Sequence, residues 1–322
     1  MPPLRHAGGM RCGYKPKARK LDIGMRTLHG DLHSVPAMST VTAYEVAMAL
    51  ERADASARVL GARALAARHG PGPAAAFAAL AIAGPEGLVP PVGTGGTLAA
   101  RHLEQAALAA AAGGADLPSD VSDALVHAAT AARAQAGGAN ALDPRGAAIA
   151  VRREVASVRG IAADAMPRDD TWHAMRLGTY LPRAGWMGAL LLSCAEVARA
   201  EPGTAGSVWH AAALVAGADP DAAGAAVLRT LLADGDHPVS MSHAIDQITG
   251  ALFALARSGA ADGGPLALAR ATGARLSTAC APGAVAPGGP EVIAEVLDAI
   301  GAIAGSTRVG SAATATREPV AA

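Results

Sequence analysis

The chain has 322 residues, 51% hydrophobic but only 2% aromatic, and its 27 basic and 27 acidic residues give a formal net charge of +0. The high apolar share excludes a charged disordered chain, which combines low hydrophobicity with high net charge. The charge balance and the scarcity of rings exclude a general nucleic-acid binder, which needs positive potential for phosphates and aromatic faces for bases.

Residues 1–37 contain Pro, Gly and the cluster Lys15, Lys17, Arg19 and Lys20, with little periodicity, so a flexible basic tail is expected. The tail lacks the apolar core of a secretory signal. The longest charge-free runs, such as Pro202–Ala218, fall short of the roughly 20 apolar residues of a membrane span. Cys12, Cys194 and Cys280 are far apart and odd in number, which suits a reducing compartment rather than a disulfide framework. These features predict a cytoplasmic protein with neither membrane nor nucleic acid as partner.

From Ser39 the pattern turns helical. Ser39 or Thr40 offers an N-cap, and Val46, Ala49, Leu50, Ala53, Ala57 and Leu60 recur at three- and four-residue steps, as one buried helix face requires. Gly70-Pro71-Gly72-Pro73 ends that helix. Further helices are predicted over roughly 74–83, 97–112, 119–136, 145–165, 169–199, 206–216, 221–233, 239–258, 264–279 and 290–304, separated by Gly- and Pro-rich turns. Strand alternation is nearly absent, and alanine favours helices and lets their axes approach closely. An all-α helical bundle over 38–304 follows, with a disordered tail at 305–322. Ala49–Ala53 parallels Tyr180–Ala184, and each is followed by an Asp/Pro turn and another long helix, at Leu142–Pro144 and at Asp234–Pro238. The bundle is therefore read as two diverged helical repeats, about 38–166 and 167–304.

At about 100° per residue, Glu51, Asp54 and Arg58 share an arc of roughly 60° opposite the apolar stripe, which is read as a solvated face or, alternatively, a charged docking seam or an anion-binding surface; Arg52 falls on another edge. In the second motif helix Asp169, Arg176 and Arg183 recur at seven-residue steps, and Trp172 can stack on Arg176 one turn later. Two readings stay open for this row: an internal ion-pair network, or a two-Arg site for a carboxylate or phosphate. Pro182 removes a helical N–H and predicts a kink or a break beginning at Gly178–Thr179.

Metal and cofactor chemistry finds little support. No Glu has a His three residues later, as ferritin-like sites require. The densest ligand cluster, His29-Gly30-Asp31-Leu32-His33, precedes the bundle, and no metal or cofactor is expected. Gly93–Thr97 lacks the Lys and the strand of a P-loop, and Cys194 in an apolar helix is expected to be an inert thiol.

Four segments, in order, resemble the alpha-E domain family. Leu50-Glu51-Arg52-Ala53 with Arg58, the Arg153-Glu154…Arg159 helix, Arg168-Asp169…Trp172 leading to Leu181-Pro182-Arg183-Ala184, and Leu231–Ser240 with its Asp234 and Pro238 are similar to that family's motifs. Pro182 stands where the family's second motif has Glu. The resemblance implies an all-α bacterial domain encoded beside, or fused to, circularly permuted ATP-grasp amide ligases and near transglutaminase-like peptidases. It implies a non-catalytic partner in peptide or amide-bond metabolism, binding through Glu51, Asp54, Arg58, Asp169, Trp172, Arg176 and Arg183. The alternatives are an enzyme that uses Arg52, Arg183 and Glu154 on a carboxylate substrate in a groove between the halves, and a purely structural bundle.

Overall fold

Eleven α-helices and no strand occur among the described residues, which are 37–83, 95–113, 117–137, 143–281 and 289–315 of the computed structural model. They are α1 Ala37–His69, α2 Pro71–Ala83, α3 Gly95–Ala112, α4 Ser119–Gly137, α5 Pro144–Ala165, α6 Asp170–Ala200, α7 Ala205–Ala216, α8 Gly224–Ala233, α9 Met241–Ser258, α10 Gly263–Ala279 and α11 Pro290–Ala315. The all-α expectation holds. The basic segment 1–36 and the cluster at His29–His33 lie outside the described residues.

Local chemistry explains most helix ends. The Asp143 carboxylate accepts from the backbone N–H of Arg145 and Gly146, both at 2.9 Å, with Pro144 in the first turn of α5. Asp169 caps α6 by accepting from Trp172 N at 3.1 Å, and Ser240 caps α9 by accepting from His243 N at 3.1 Å. α1 begins at Ala37, so Ser39 and Thr40 lie within its first turn rather than at its cap. It ends where Gly70 takes φ 116°, a conformation that side chains with a Cβ rarely adopt, and α2 restarts at once on Pro71. At the other end α11 continues to Ala315, through residues expected to be disordered; the Ser306 and Thr307 hydroxyls turn back onto the carbonyls of Ala302 and Ile303.

α1 and α6 are the central pair. α1 packs on α3, α5 and α6, and also touches α2, α7 and α11, while α6 adds α9 and α11. A helix of 33 residues is about 50 Å long, so α1 serves two hydrophobic clusters. One gathers Val46, Leu50, Leu103, Leu125 and Val155 from α1, α3, α4 and α5. The other gathers Met187, Leu191, Leu231, Ile248 and Ile303 from α6, α8, α9 and α11, together with residues of α7 and α10, the C-terminal end of α1, and Ala76, Phe77 and Leu80 of α2. α2, expected in the first half, thus packs into the second cluster, because the far end of α1 carries it there.

α6 runs as one helix from Asp170 to Ala200 with Pro182 inside it, so of the two outcomes expected at Gly178–Thr179 the break does not occur. One turn earlier, Gly178 lies so close to α1 that a Cβ there would sit 2.2 Å from the backbone oxygen of Tyr44. That close approach sets the spacing of the central pair.

Candidate functional site

The charged residues of the first motif do not face solvent. α1 is covered by α3, α5 and α6, and Glu51 is 0% exposed. Arg183 from α6 forks onto its carboxylate, with Nε donating to Oε1 at 2.9 Å and Nη2 to Oε2 at 2.6 Å. Trp186 Nε1 donates to Oε1 at 3.2 Å, and Arg159 from α5 donates through Nη2 to Oε2. Arg183 Nη1 reaches the carbonyl of Pro238 at 3.2 Å, in the turn between α8 and α9, and its guanidinium lies 4.9 Å from the centre of the Tyr180 ring.

One turn along α1, the buried Asp54 collects the other charges. Arg58 Nε donates to its Oδ2 at 2.8 Å, Arg152 Nε stands 3.5 Å from Oδ1, and Arg159 Nη1 stands 3.7 Å from Oδ2. Two carboxylates are thereby enclosed by four guanidiniums.

The electrostatics follow the geometry. Burial pushes the Asp54 carboxyl up, but Arg58, Arg159 and Arg152 together outweigh it and hold its pKa below the usual carboxylate value. Burial likewise opposes the charge on Arg183, yet Glu51 outweighs it and the pKa is raised. With its two oxygens occupied by two guanidiniums and an indole, Glu51 offers no free lone pair on which to act as a base. The arrangement is a clamp joining α1, α5, α6 and the turn before α9.

A sequence model described as "a predicted alpha-helical domain with a conserved ER motif" matches residues 49–306. The chain belongs to the Alpha-E family. No curated protein and no solved structure matches it. The one Glu-Arg dipeptide of this Alpha-E domain is Glu51-Arg52. Its two members diverge: Glu51 anchors the clamp, while Arg52 is exposed on the far side of α1.

Several expected placements are corrected. The arc of Glu51, Asp54 and Arg58 is an inner seam, because α5 and α6 pack over it, while Arg52 is exposed elsewhere on α1. Asp169, Arg176 and Arg183 do not act as one row: Asp169 caps α6, Arg176 donates to Gln247 on α9, and Arg183 belongs to Glu51. Trp172 stacks under Arg168, whose guanidinium lies 3.9 Å from the ring centroid, and not under Arg176, which Gln247 holds. Arg52, Arg183 and Glu154 share no hydrogen bond or ion pair among the described residues, so the proposed groove triad is not assembled.

Arg152, Arg159, Trp186 and Pro238 complete the site and were not singled out for it. Arg152 and Arg159 lie seven residues apart on α5, the same spacing that drew attention to Arg176 and Arg183, and that signal was available in the sequence. Among the described residues no group of three His, Cys, Asp or Glu side chains is gathered for a metal ion. Cys194 is buried, its thiol pushed up by burial and turned toward the Val208 carbonyl at 3.9 Å. No described helix is long and apolar enough to cross a membrane.

Proposed function

We propose that this Alpha-E domain is a cytoplasmic helical partner, without chemistry of its own, in a bacterial ATP-grasp-type amide ligase or transglutaminase-like peptidase system of peptide or amide-bond metabolism. The ligase and peptidase association rests on the motif resemblance, which is an associational warrant. The observation that carries the non-catalytic part is the saturation of Glu51: the most buried acid of the motif is matched by Arg183, Arg159 and Trp186. A general base needs a lone pair within reach of substrate, and this carboxylate has none to give. The clamp then serves to hold the helices in the arrangement that a partner meets.

The purely structural reading draws on the same clamp and on the Arg176–Gln247 contact. Affinity capture with the full chain from native lysate separates the two. Recovery of an identified ATP-grasp ligase or transglutaminase-like peptidase supports the partner role. Recovery of neither, together with a gene neighbourhood lacking both, overturns it.

A further inference from the structure

The buried end of the clamp is closed, but its outer end is not. Arg58, Arg159 and Arg152 all reach Asp54 within 3.7 Å, and their side chains are 14%, 29% and 48% exposed, a gradient that opens from the core to solvent. Four guanidiniums surround two carboxylates, which leaves two positive charges uncompensated among the described residues. Arg159 Nε is buried with no hydrogen-bond partner among the described residues, although its Nη atoms serve Glu51 and Asp54. A second orphan belongs to the same neighbourhood. His237, in the turn that Arg183 grips through Pro238, has a buried Nδ1 without a partner, and it feels the charge of Arg58. Asp234, exposed at the start of that turn, acts on His237 in the opposite sense to Arg58.

We propose that Arg58, Arg152 and Arg159 form a binding site for a compact dianionic oxyanion, a phosphate group. Phosphate carries about −1.5 to −2 charges at pH 7, which matches the uncompensated charge of the cluster. Its tetrahedral oxygens suit planar guanidinium forks approaching from different sides. A monocarboxylate leaves one charge unmatched, and a dicarboxylate divides its two charges between separate groups where phosphate holds them on one centre. The ligand is either free phosphate or the phosphate of a small ester; the chemistry is shared. The site does not depend on the identity of any protein partner.

Thermal unfolding of the full chain at fixed ionic strength and pH 7 tests this, with inorganic phosphate, glycerol phosphate or glutarate replacing chloride. Inorganic phosphate is expected to raise Tm along a saturating curve, and glutarate to have little effect. A larger rise with glycerol phosphate assigns the site to an ester; a smaller one assigns it to the free ion. Arg152→Gln, on the exposed edge of α5, is expected to keep the fold while weakening the apparent affinity about tenfold or more, as loss of a charge-assisted contact does. Phosphate also stabilises proteins by exclusion from their surfaces. A rise that is linear, is equal for glutarate, or persists unchanged in Arg152→Gln overturns the proposal. So does a Tm that phosphate leaves where chloride sets it.

Discussion

Arg183 of α6 and Glu51 of α1, 132 residues apart in the chain, meet in a two-pronged ion pair at the centre of the bundle. Removing one member of a buried pair strands the other charge in a medium that solvates it poorly, typically at a cost of about 3–5 kcal/mol. Glu51→Gln is therefore expected to destabilise by that amount in urea unfolding. Arg52→Ala, one residue along on the exposed side, should change stability by no more than about 0.5 kcal/mol. Equal effects from the two substitutions would contradict the inward and outward assignment.

The α1–α6 contact has a steric signature. Gly178→Ala places a methyl 2.2 Å from the Tyr44 backbone oxygen, which cannot move unless α1 moves. Overpacking of this kind costs about 1–3 kcal/mol or more, and a lowered urea midpoint is the expected readout. Pro182→Ala should act oppositely. It restores an N–H inside an unbroken helix, where proline costs up to about 3 kcal/mol, so a raised midpoint is expected.

Acid should weaken the fold in two stages. Burial lowers the pKa of His102, His173 and His237 below the ordinary histidine value of 6.5, with nearby arginines assisting and Gln105 or neighbouring aspartates opposing. The unfolded chain then binds more protons than the folded one, so stability rises with pH across this range. Their contribution is complete above 6.5 and is lost as pH falls through the lower folded values. Asp54, also lowered, adds a second loss below the ordinary aspartate value of 3.8. Tm measured against pH at fixed ionic strength should fall from pH 7 to pH 5, and less so in His237→Gln. A Tm that is flat or rising over that interval would count against these environments.

The positions of the helices were legible because alanine-rich stripes and Gly/Pro turns are local signals. Val46, Leu50, Ala53 and Ala57 are buried as their spacing requires. The error on Glu51 and Asp54 came from the helical wheel itself, which assigns one buried face and one wet face. The charged arc is not the wet side of α1, since α5 and α6 cover it while Arg52 is exposed. Two acids on a polar arc read alike whether water or arginine meets them, and only the partner helix decides. Arg152 and Arg159 supplied that partner through an i, i+7 spacing on α5. The stack of Trp172 under Arg168 escaped notice because Arg168 precedes the Asp169 cap, outside the periodic segment. Pro182 left a kink or a break open, and α6 continues through it as one helix, with Gly178 letting α1 lie close one turn earlier.

The most direct test of the clamp is a double-mutant cycle on Glu51 and Arg183, read by urea unfolding of Glu51→Gln, Arg183→Met and the pair together. Residues in one buried charge network couple by about 0.5–3 kcal/mol, and the bidentate geometry here predicts the upper part of that range. Losses that simply add, with no coupling between the two positions, would contradict a clamp joining α1 to α6.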